Sequence, residues 1–422
     1  MSLLIKNCNL ISMSDDRDKY EEGIDILIEN NKISKIGNNL ETDGEVIDAK
    51  GKVALPGLIN THTHLPMSIF RETVDGYKTH DWLEKVMWPL EDKLVAEDVY
   101  WASKLSCIEM IKTGTTTAND MYFFTDSIIK AALDTGVRLQ TTRCLVGNSK
   151  YDVSRINELK DILARYNEEN ISFNLGIHGL YTCNEEYVEK CIDLAEENNL
   201  HIHMHFCENQ QEREETVKIY NVGNPSEVIK NSFRGIRNVL AHCVKITNED
   251  INILKDTNTY ISHCPISNLK LGCGLAPIDK LISNGICVSL GTDGQGSGSN
   301  LDMFETMKAT ALLQKGINEN PELMPAYEVL KMATINGAKA LKLDDKIGTI
   351  EEGKIADLII IDINEILSRP VNNIFAELVY NTKGYDVDTT IVNGKVLMKN
   401  KIVKQNVDDV ILNCERVVER IK

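Results

Sequence analysis

The chain has 422 residues, of which 42% are hydrophobic and 26% charged, and its net charge is −17 at pH 7. This length exceeds one small domain and accommodates a large domain with a smaller one. Because so acidic a chain repels a phosphate backbone, we expect a small-molecule partner and no nucleic acid. No run of about 18 apolar residues occurs, so we expect no membrane partner. Residues 1–20 do not resemble a signal peptide.

The cysteines indicate a reducing compartment. There are 11 of them, an odd number, and none forms a C-x-x-C motif. In a chain of this length, such a pattern is typical of free thiols and not of a disulfide framework. We therefore expect a cytoplasmic protein.

Both ends of the chain are predicted to consist of short strands. Ser2–Ile11 is an apolar run, and Ile24–Gly37 alternates as two strands around an Asn-Asn turn. Near the other end, Ala356–Asp362 is typical of a buried strand and Thr389–Val396 of a hairpin around Asn-Gly. Since chain termini often lie close together, we predict one small β-sandwich domain built from residues 1–55 and 344–422.

The middle of the chain, residues 56–343, alternates between short apolar segments and longer segments with helical spacing. The eight strand candidates are Leu58–His64, Thr113–Met121, Val137–Leu145, Ser172–Leu180, His201–Glu208, Asn238–Val244, Tyr260–Ser267 and Ile286–Gly294. Helix-like stretches between them include Asp98–Lys112, Ser154–Asn167, Glu185–Asn198 and Leu275–Asn284. This order predicts an α/β fold of the (β/α)8 barrel type. A doubly wound open sheet is the alternative, but no Gly-rich phosphate loop follows the first strand.

Histidines concentrate at the predicted carboxyl ends of these strands, where a barrel of this type carries its chemistry. Of the 9 histidines in the chain, those at or one step before a strand end are His62, His64, His178, His203, His205, His242 and His263. Two acidic residues also follow strands, Glu208 after the fifth and Asp293 after the eighth. One such histidine is more often a core residue than a ligand, but several at one rim indicate a site.

The spacing of His62 and His64 predicts metal ligands. Residues i and i+2 of a strand point to one face, so both imidazoles can reach one ion. A histidine of the fifth strand and Asp293 would complete three imidazoles and a carboxylate, a set suited to zinc first and iron next.

The fifth strand leaves a choice of ligand. In "HIHMHFCE", His201, His203 and His205 share one parity, and we choose His205 because it is nearest the strand end. The roles of His201, His203 and His263 stay open. The fourth strand, "NLGIHGLYT", has no lysine that could bridge two ions, so we predict a single divalent ion.

These segments resemble the amidohydrolase superfamily and, within it, its 5'-methylthioadenosine/S-adenosylhomocysteine deaminases. The motifs that carry the resemblance are "PGLINTHTHLPMSIFR", "DWLEKVMWPLE", "IHMHFCENQQE", "SHCPISNLKLGCGLAPI" and "SLGTDGQGSGSNLDMFETMKATALLQK". The resemblance implies hydrolytic deamination of an adenosine-type nucleoside to its inosine analogue and ammonia. It also implies one divalent ion, zinc with iron or manganese as alternatives, and a homodimer or homotetramer.

The resemblance assigns roles residue by residue. It implies that His62, His64, His205 and Asp293 ligate the metal. Asp293 would also act as general base, His242 would hydrogen-bond the attacking water, and Glu208 would protonate the purine ring nitrogen N1.

The same resemblance implies a set of substrate-binding residues. Trp82 and Glu91 would hold the ribose, His178 would lie near the ribose and its 5' substituent, and Arg143 and Arg155 would meet the carboxylate of a homocysteine tail. The chain departs from the family pattern at Gly179-Leu180-Tyr181, where a proline usually precedes the tyrosine. A related aminohydrolase acting on guanine, a pterin or an s-triazine is the alternative, and a non-catalytic binding protein is a second.

Overall fold

The computed structural model describes residues 2–147, 153–364 and 366–422. Its strands are β1 (Ser2–Leu10), β2 (Glu21–Glu29), β3 (Lys32–Gly37), β4 (Glu45–Asp48), β5 (Val53–Pro56), β6 (Leu58–Thr63), β7 (Thr115–Tyr122), β8 (Arg138–Arg143), β9 (Ile171–Phe173), β10 (Leu175–Gly179), β11 (Ile202–Phe206), β12 (Asn238–His242), β13 (Thr259–His263), β14 (Cys287–Leu290), β15 (Leu358–Ile361), β16 (Val387–Val392), β17 (Lys395–Lys399) and β18 (Ile402–Val403).

The helices surround these strands, and none within the described part of the chain is long and apolar enough to cross a membrane. They are α1 (Thr79–Trp82), α2 (Trp88–Glu91), α3 (Ala96–Lys112), α4 (Thr125–Thr135), α5 (Val153–Arg165), α6 (Glu185–Glu197), α7 (Gln210–Tyr220), α8 (Ser226–Ser232), α9 (Asn248–Leu254), α10 (Pro265–Lys270), α11 (Ile278–Ser283), α12 (Gln295–Gly298), α13 (Met303–Ile317), α14 (Ala326–Met332), α15 (Ile335–Ala340), α16 (Ile374–Ala376) and α17 (Val407–Ile421).

Two parallel sheets occupy the middle of the chain, one of β6–β9 and one of β10–β14, each in sequence order. All eight predicted strands are present, the fourth being divided into β9 and β10 on either side of Asn174. The sheets meet at both edges. Leu145 forms a parallel bridge with Ile177 of β10, and the backbone N–H of Asp293 donates to the carbonyl of His62 (3.0 Å). Strands buried along their whole length, such as β6 and β7, are typical of parallel sheets covered by helices. The predicted α/β class is confirmed.

The two ends of the chain share one nine-stranded sheet, in the order β18-β17-β16-β15-β5-β1-β2-β3 with β4 beside β1. Both predicted hairpins are present. In the turn between β16 and β17, Asn393 and Gly394 have φ of 50° and 68°, the left-handed pair that a two-residue type I′ turn requires. The described residues form one continuous sheet here, so its division into the two layers of a sandwich stays a prediction.

The expectation that the C-terminal end is wholly β is wrong for its last segment. Helix α17 is capped by Asn406, whose side chain accepts from the backbone of Asp409. Its buried side chains recur every three or four residues and join the main core: Val410, Cys414, Val417 and Ile421. Arg420 pairs with Asp98 of α3. The Asn cap and this spacing are present in the sequence, but the preceding strands led to the prediction that this end continues as strands.

A buried ion pair ties the terminal sheet to the parallel strands. Arg138, at the start of β8, donates from Nε and Nη2 to the two carboxylate oxygens of Asp357, just before β15 (2.7 and 3.1 Å). The same carboxylate accepts the backbone N–H of Asn393 (2.7 Å). Both charged side chains are buried, so removal of either would leave the other unpaired away from water.

We therefore expect Arg138→Met to lower the free energy of unfolding by about 3–5 kcal/mol, the usual effect of breaking a buried pair. Lys130→Met is the matched control, because Lys130 pairs with Asp134 on the protein surface. Exposed ion pairs contribute at most about 1 kcal/mol to the free energy of unfolding. Guanidinium unfolding followed by circular dichroism compares the variants. Equal midpoints for the two variants would contradict this account of the domain junction.

Candidate active site

The predicted metal ligands converge at the carboxyl ends of the parallel strands. His62 lies in β6, His64 just after it, His205 in β11, and Asp293 after β14. Asp293 Oδ1 is 3.5 Å from His62 Nε2 and 3.2 Å from His64 Nε2. His64 Nε2 is 3.3 Å from His205 Nε2. His242, from β12, joins the group, since its ligand atom lies within 4.8 Å of those of His62 and Asp293.

The Nδ1 atom of each of these imidazoles forms a hydrogen bond within the protein. His64 Nδ1 donates to the carbonyl of Met121 and His205 Nδ1 to the carbonyl of His178, each at 2.6 Å. Because a carbonyl only accepts, Nε2 of each neutral ring carries the lone pair that a metal requires. His242 Nδ1 lies 2.8 Å from Asn268 Oδ1 in the same way.

His62 is oriented by a second histidine whose role the sequence left open. His203 Nδ1 donates to the carbonyl of Val239 (3.0 Å), so its Nε2 accepts from His62 Nδ1 (2.8 Å). Burial lowers the pKa of His62 to about 3, which keeps its ring neutral. His201 and His263 take no part in this cluster, and burial lowers the pKa of each to about 3.

The donor set fits a divalent cation. The Nε2 atoms of His62 and His242 are buried and have no hydrogen-bond partner among the described residues, an unfavourable state for polar atoms unless a ligand satisfies them. Imidazole nitrogens with one carboxylate oxygen are typical ligands of divalent transition metals. The site therefore supports the predicted divalent ion.

Asp293 is held so that one oxygen faces the imidazoles. Its Oδ2 accepts from the hydroxyls of Ser267 (2.5 Å) and Ser297 (2.8 Å), while Oδ1 lies near the histidines. Its φ is 62°, in the left-handed region, and that of His242 is 74°. Non-glycine residues adopt this conformation rarely, mostly where the surrounding structure enforces it at functional sites. The two serines were not predicted, although both lie in quoted motifs.

Glu208 lies beside the predicted metal ligands, in a turn that a second acid stabilises. Glu212 accepts the backbone N–H groups of Cys207 and Glu208, each at 2.7 Å. Burial raises the pKa of Glu208, and the thiol of Cys273 lies 3.7 Å from its Oε1. A buried carboxyl with a raised pKa retains a proton more readily near neutral pH, which suits a proton donor.

A cavity of about 840 Å³ opens above these groups. Its walls include every residue predicted on the substrate side: Trp82, Glu91, Arg143, Arg155, His178 and Glu208. Glu91 accepts a hydrogen bond from the hydroxyl of Tyr122 (2.5 Å), which the sequence did not indicate. Burial lowers the pKa of His178 to about 4, so this ring is neutral.

The predicted arginine pair has an acid beside it. Arg143 Nε donates to Glu158 Oε2 (2.7 Å) and its Nη1 to the carbonyl of Cys144 (2.9 Å). Glu158 lies on α5, one turn beyond Arg155, and lines the same cavity. Arg143 and Arg155 thus share the cavity wall, but Arg143 is engaged by Glu158. The two arginines were predicted to lie together, but Glu158 was not predicted as the partner of Arg143.

Comparison with known proteins agrees with this geometry. Residues 53–397 match the amidohydrolase family model. The chain is 44% identical over 414 residues to a 5-methylthioadenosine/S-adenosylhomocysteine deaminase of Caldanaerobacter subterraneus subsp. tengcongensis, covering 96% of this chain and 94% of the relative. It is 42% identical over 391 residues to a 5'-deoxyadenosine deaminase of Methanocaldococcus jannaschii, covering 89% of this chain and 91% of the relative.

A solved structure agrees as well. An adenosine deaminase from Xanthomonas campestris with bound zinc superposes with a TM-score of 0.93 at 26% identity, covering 99% of this chain and 98% of that one. The chain therefore belongs to the amidohydrolase family and, within it, to the 5-methylthioadenosine/S-adenosylhomocysteine deaminases that its motifs predicted.

Proposed function

We propose that this protein hydrolytically deaminates adenosine-type nucleosides, 5'-methylthioadenosine, S-adenosylhomocysteine or adenosine, to the inosine analogue and ammonia. One divalent ion, zinc, would be held by His62, His64, His205 and Asp293. The observation that carries the proposal is the placement of an acid, Glu208, and a carboxylate, Asp293, at the floor of one cavity. Hydrolytic deamination requires one group that donates a proton and one that accepts a proton, both close to the reacting carbon.

Asp293 and His242 would act on the attacking water. A divalent ion held by these residues would lower the pKa of water towards neutrality. Asp293 would accept the first proton of the attacking water, because the two serines hold its carboxylate beside the imidazoles. His242 Nε2 contacts the attacking oxygen, since Asn268 holds the other ring nitrogen.

Glu208 would supply the acid. The aromatic carbon C6 becomes electrophilic once its neighbour N1 receives the proton of Glu208. The water oxygen then bonds to C6, the proton held by Asp293 passes to the amino group, and the C6–N bond breaks to release ammonia. The remaining hydroxyl proton returns to Glu208, and the product carries an oxygen at C6 and a proton on N1. Both residues end as they began.

The substrate would lie across the cavity with its ribose at Trp82 and Glu91. His178 would contact the region of the 5' substituent. Arg143 and Arg155 would bind the carboxylate of a homocysteine tail. For this, the Arg143–Glu158 ion pair would have to break, or Arg143 would have to contact both carboxylates.

The finer architecture belongs to the same proposal. Contacts between the two parallel sheets at both edges support a closed (β/α)8 barrel of residues 56–343. The shared terminal sheet supports a small β domain of residues 1–55 and 344–422, to which helix α17 adds a contact with the barrel side. The dimer or tetramer and the cytoplasmic location stay predictions.

An ammonia-release screen on zinc-loaded protein tests the proposed function. The panel is adenosine, 5'-methylthioadenosine, S-adenosylhomocysteine, guanine and cytosine. We expect turnover of the three nucleosides, its loss on chelation and its recovery with zinc. Turnover of guanine without turnover of any nucleoside would contradict the proposal and support the alternative aminohydrolase.

Glu208→Gln should keep the metal and lose most of the rate. We expect kcat with the best substrate to fall by roughly 10²–10⁴-fold, because a positioned general acid contributes that much. Glu214→Gln, an exposed position on α7, is the control and should keep the wild-type rate. Elemental analysis accompanies the kinetics. If Glu208→Gln loses its metal, Glu208 is a ligand and the assigned role is wrong.

A further inference from the structure

Tyr122 ends strand β7 beside the metal centre. It pairs with Arg143 in the ladder to β8, and its carbonyl accepts the backbone N–H of Cys144 (2.8 Å). The preceding residue, Met121, accepts the imidazole proton of His64 through its own carbonyl. This strand end therefore has a fixed backbone position relative to the metal ligands.

The side chain of Tyr122 reaches the ribose side of the cavity. It is only 4% exposed and stacks on Phe123 with ring centroids 4.2 Å apart. Its hydroxyl donates to Glu91 Oε1 at 2.5 Å. Burial raises the pKa of Tyr122 well above its usual range, and the nearby Glu91 carboxylate raises it further, so the phenol stays protonated and donates.

The carboxylate of Glu91 is oriented mainly by its hydrogen bond with Tyr122. Glu91 ends α2, the last turn of a helical segment that runs from Thr79 to Glu91. Among the residues that the structure describes, Tyr122 is the only hydrogen-bond partner of the Glu91 carboxylate. The orientation of this carboxylate thus depends on a tyrosine fixed by β7. Of its two oxygens, Oε1 is engaged and Oε2 is left for a ligand.

We propose that Tyr122 is a positioning residue that sets the preference for a ribose over a 2'- or 3'-deoxyribose. It holds Glu91 Oε1, so that Oε2 accepts from the sugar hydroxyls at a fixed distance from the metal centre. This inference rests on the proposed function, in which Glu91 binds the ribose. Because Met121 holds His64 and Tyr122 holds Glu91, two consecutive residues link the reacting end of the substrate to its sugar.

The test compares kcat/KM for adenosine, 2'-deoxyadenosine and 3'-deoxyadenosine in wild type and Tyr122→Phe. The wild type should prefer adenosine. In Tyr122→Phe, kcat/KM for adenosine should fall by about tenfold, mainly through KM, as expected for a lost hydrogen bond to a charged group. Values for the two deoxynucleosides, which offer Glu91 one sugar hydroxyl instead of two, should fall less, so the preference for adenosine narrows. Tyr122→Met is a second variant without the hydroxyl and should behave alike.

Two further variants separate positioning from packing. Tyr100→Phe removes a hydroxyl that donates to Asp134 (2.7 Å) on the surface and should leave all three substrates unaffected. Glu91→Gln should narrow the preference by itself, and adding Tyr122→Phe to it should change little, because both residues act through one contact.

The outcomes are distinguishable. An equal loss for all three substrates in Tyr122→Phe would mean that Tyr122 only packs, and it would overturn the inference. A wild type that does not distinguish adenosine from its deoxy analogues would overturn the inference together with the role of Glu91. A wild type that deaminates no adenosine-type nucleoside would overturn the proposed function itself.

Discussion

A carboxylate buried among imidazoles is the interaction on which the site depends. Asp293 is 5% exposed, and a charge in such a place requires compensation. Although burial alone would raise its pKa, the adjacent imidazoles of His62 and His64 hold the pKa of this carboxyl well below its usual range. Burial lowers the pKa of His64, but Asp293 raises it to about 9. A divalent ion and the His64 proton therefore compete for one carboxylate, and bound metal neutralises the cluster without that proton.

The two sides of the cavity are built differently. The metal side lies on or just after the strands, where carbonyls such as those of Met121 and His178 hold the imidazoles. The substrate side lies in part outside the strands: Trp82 ends α1, Glu91 ends α2, and Arg155 lies in the first turn of α5. Rigid strands preserve the chemistry, while loops are free to vary with the substrate. Tyr122 connects the two sides, because it belongs to strand β7 and its hydroxyl donates to Glu91 of helix α2.

Much of this arrangement follows from the sequence. Apolar runs of strand length predicted all eight central strands, and the i, i+2 spacing predicted that His62 and His64 share a face. Parity does not fix depth along a strand, so it could not separate His205, the predicted ligand, from His203, which lies one layer deeper and contacts His62. Side-chain partners distant in sequence, such as Glu91 with Tyr122 and Arg138 with Asp357, leave no periodic signal. Helix α17 had such a signal, but its neighbours were strands.

Anomalous diffraction at the zinc absorption edge, from crystals of the zinc-loaded protein, would show whether a single ion binds between the three histidines and Asp293. We expect one strong peak per chain, within bonding distance of the Nε2 atoms of His62, His64 and His205 and of Asp293 Oδ1, at about 2.0–2.2 Å. A second peak at the same cavity floor, or a peak bound elsewhere with none between these four residues, would contradict it.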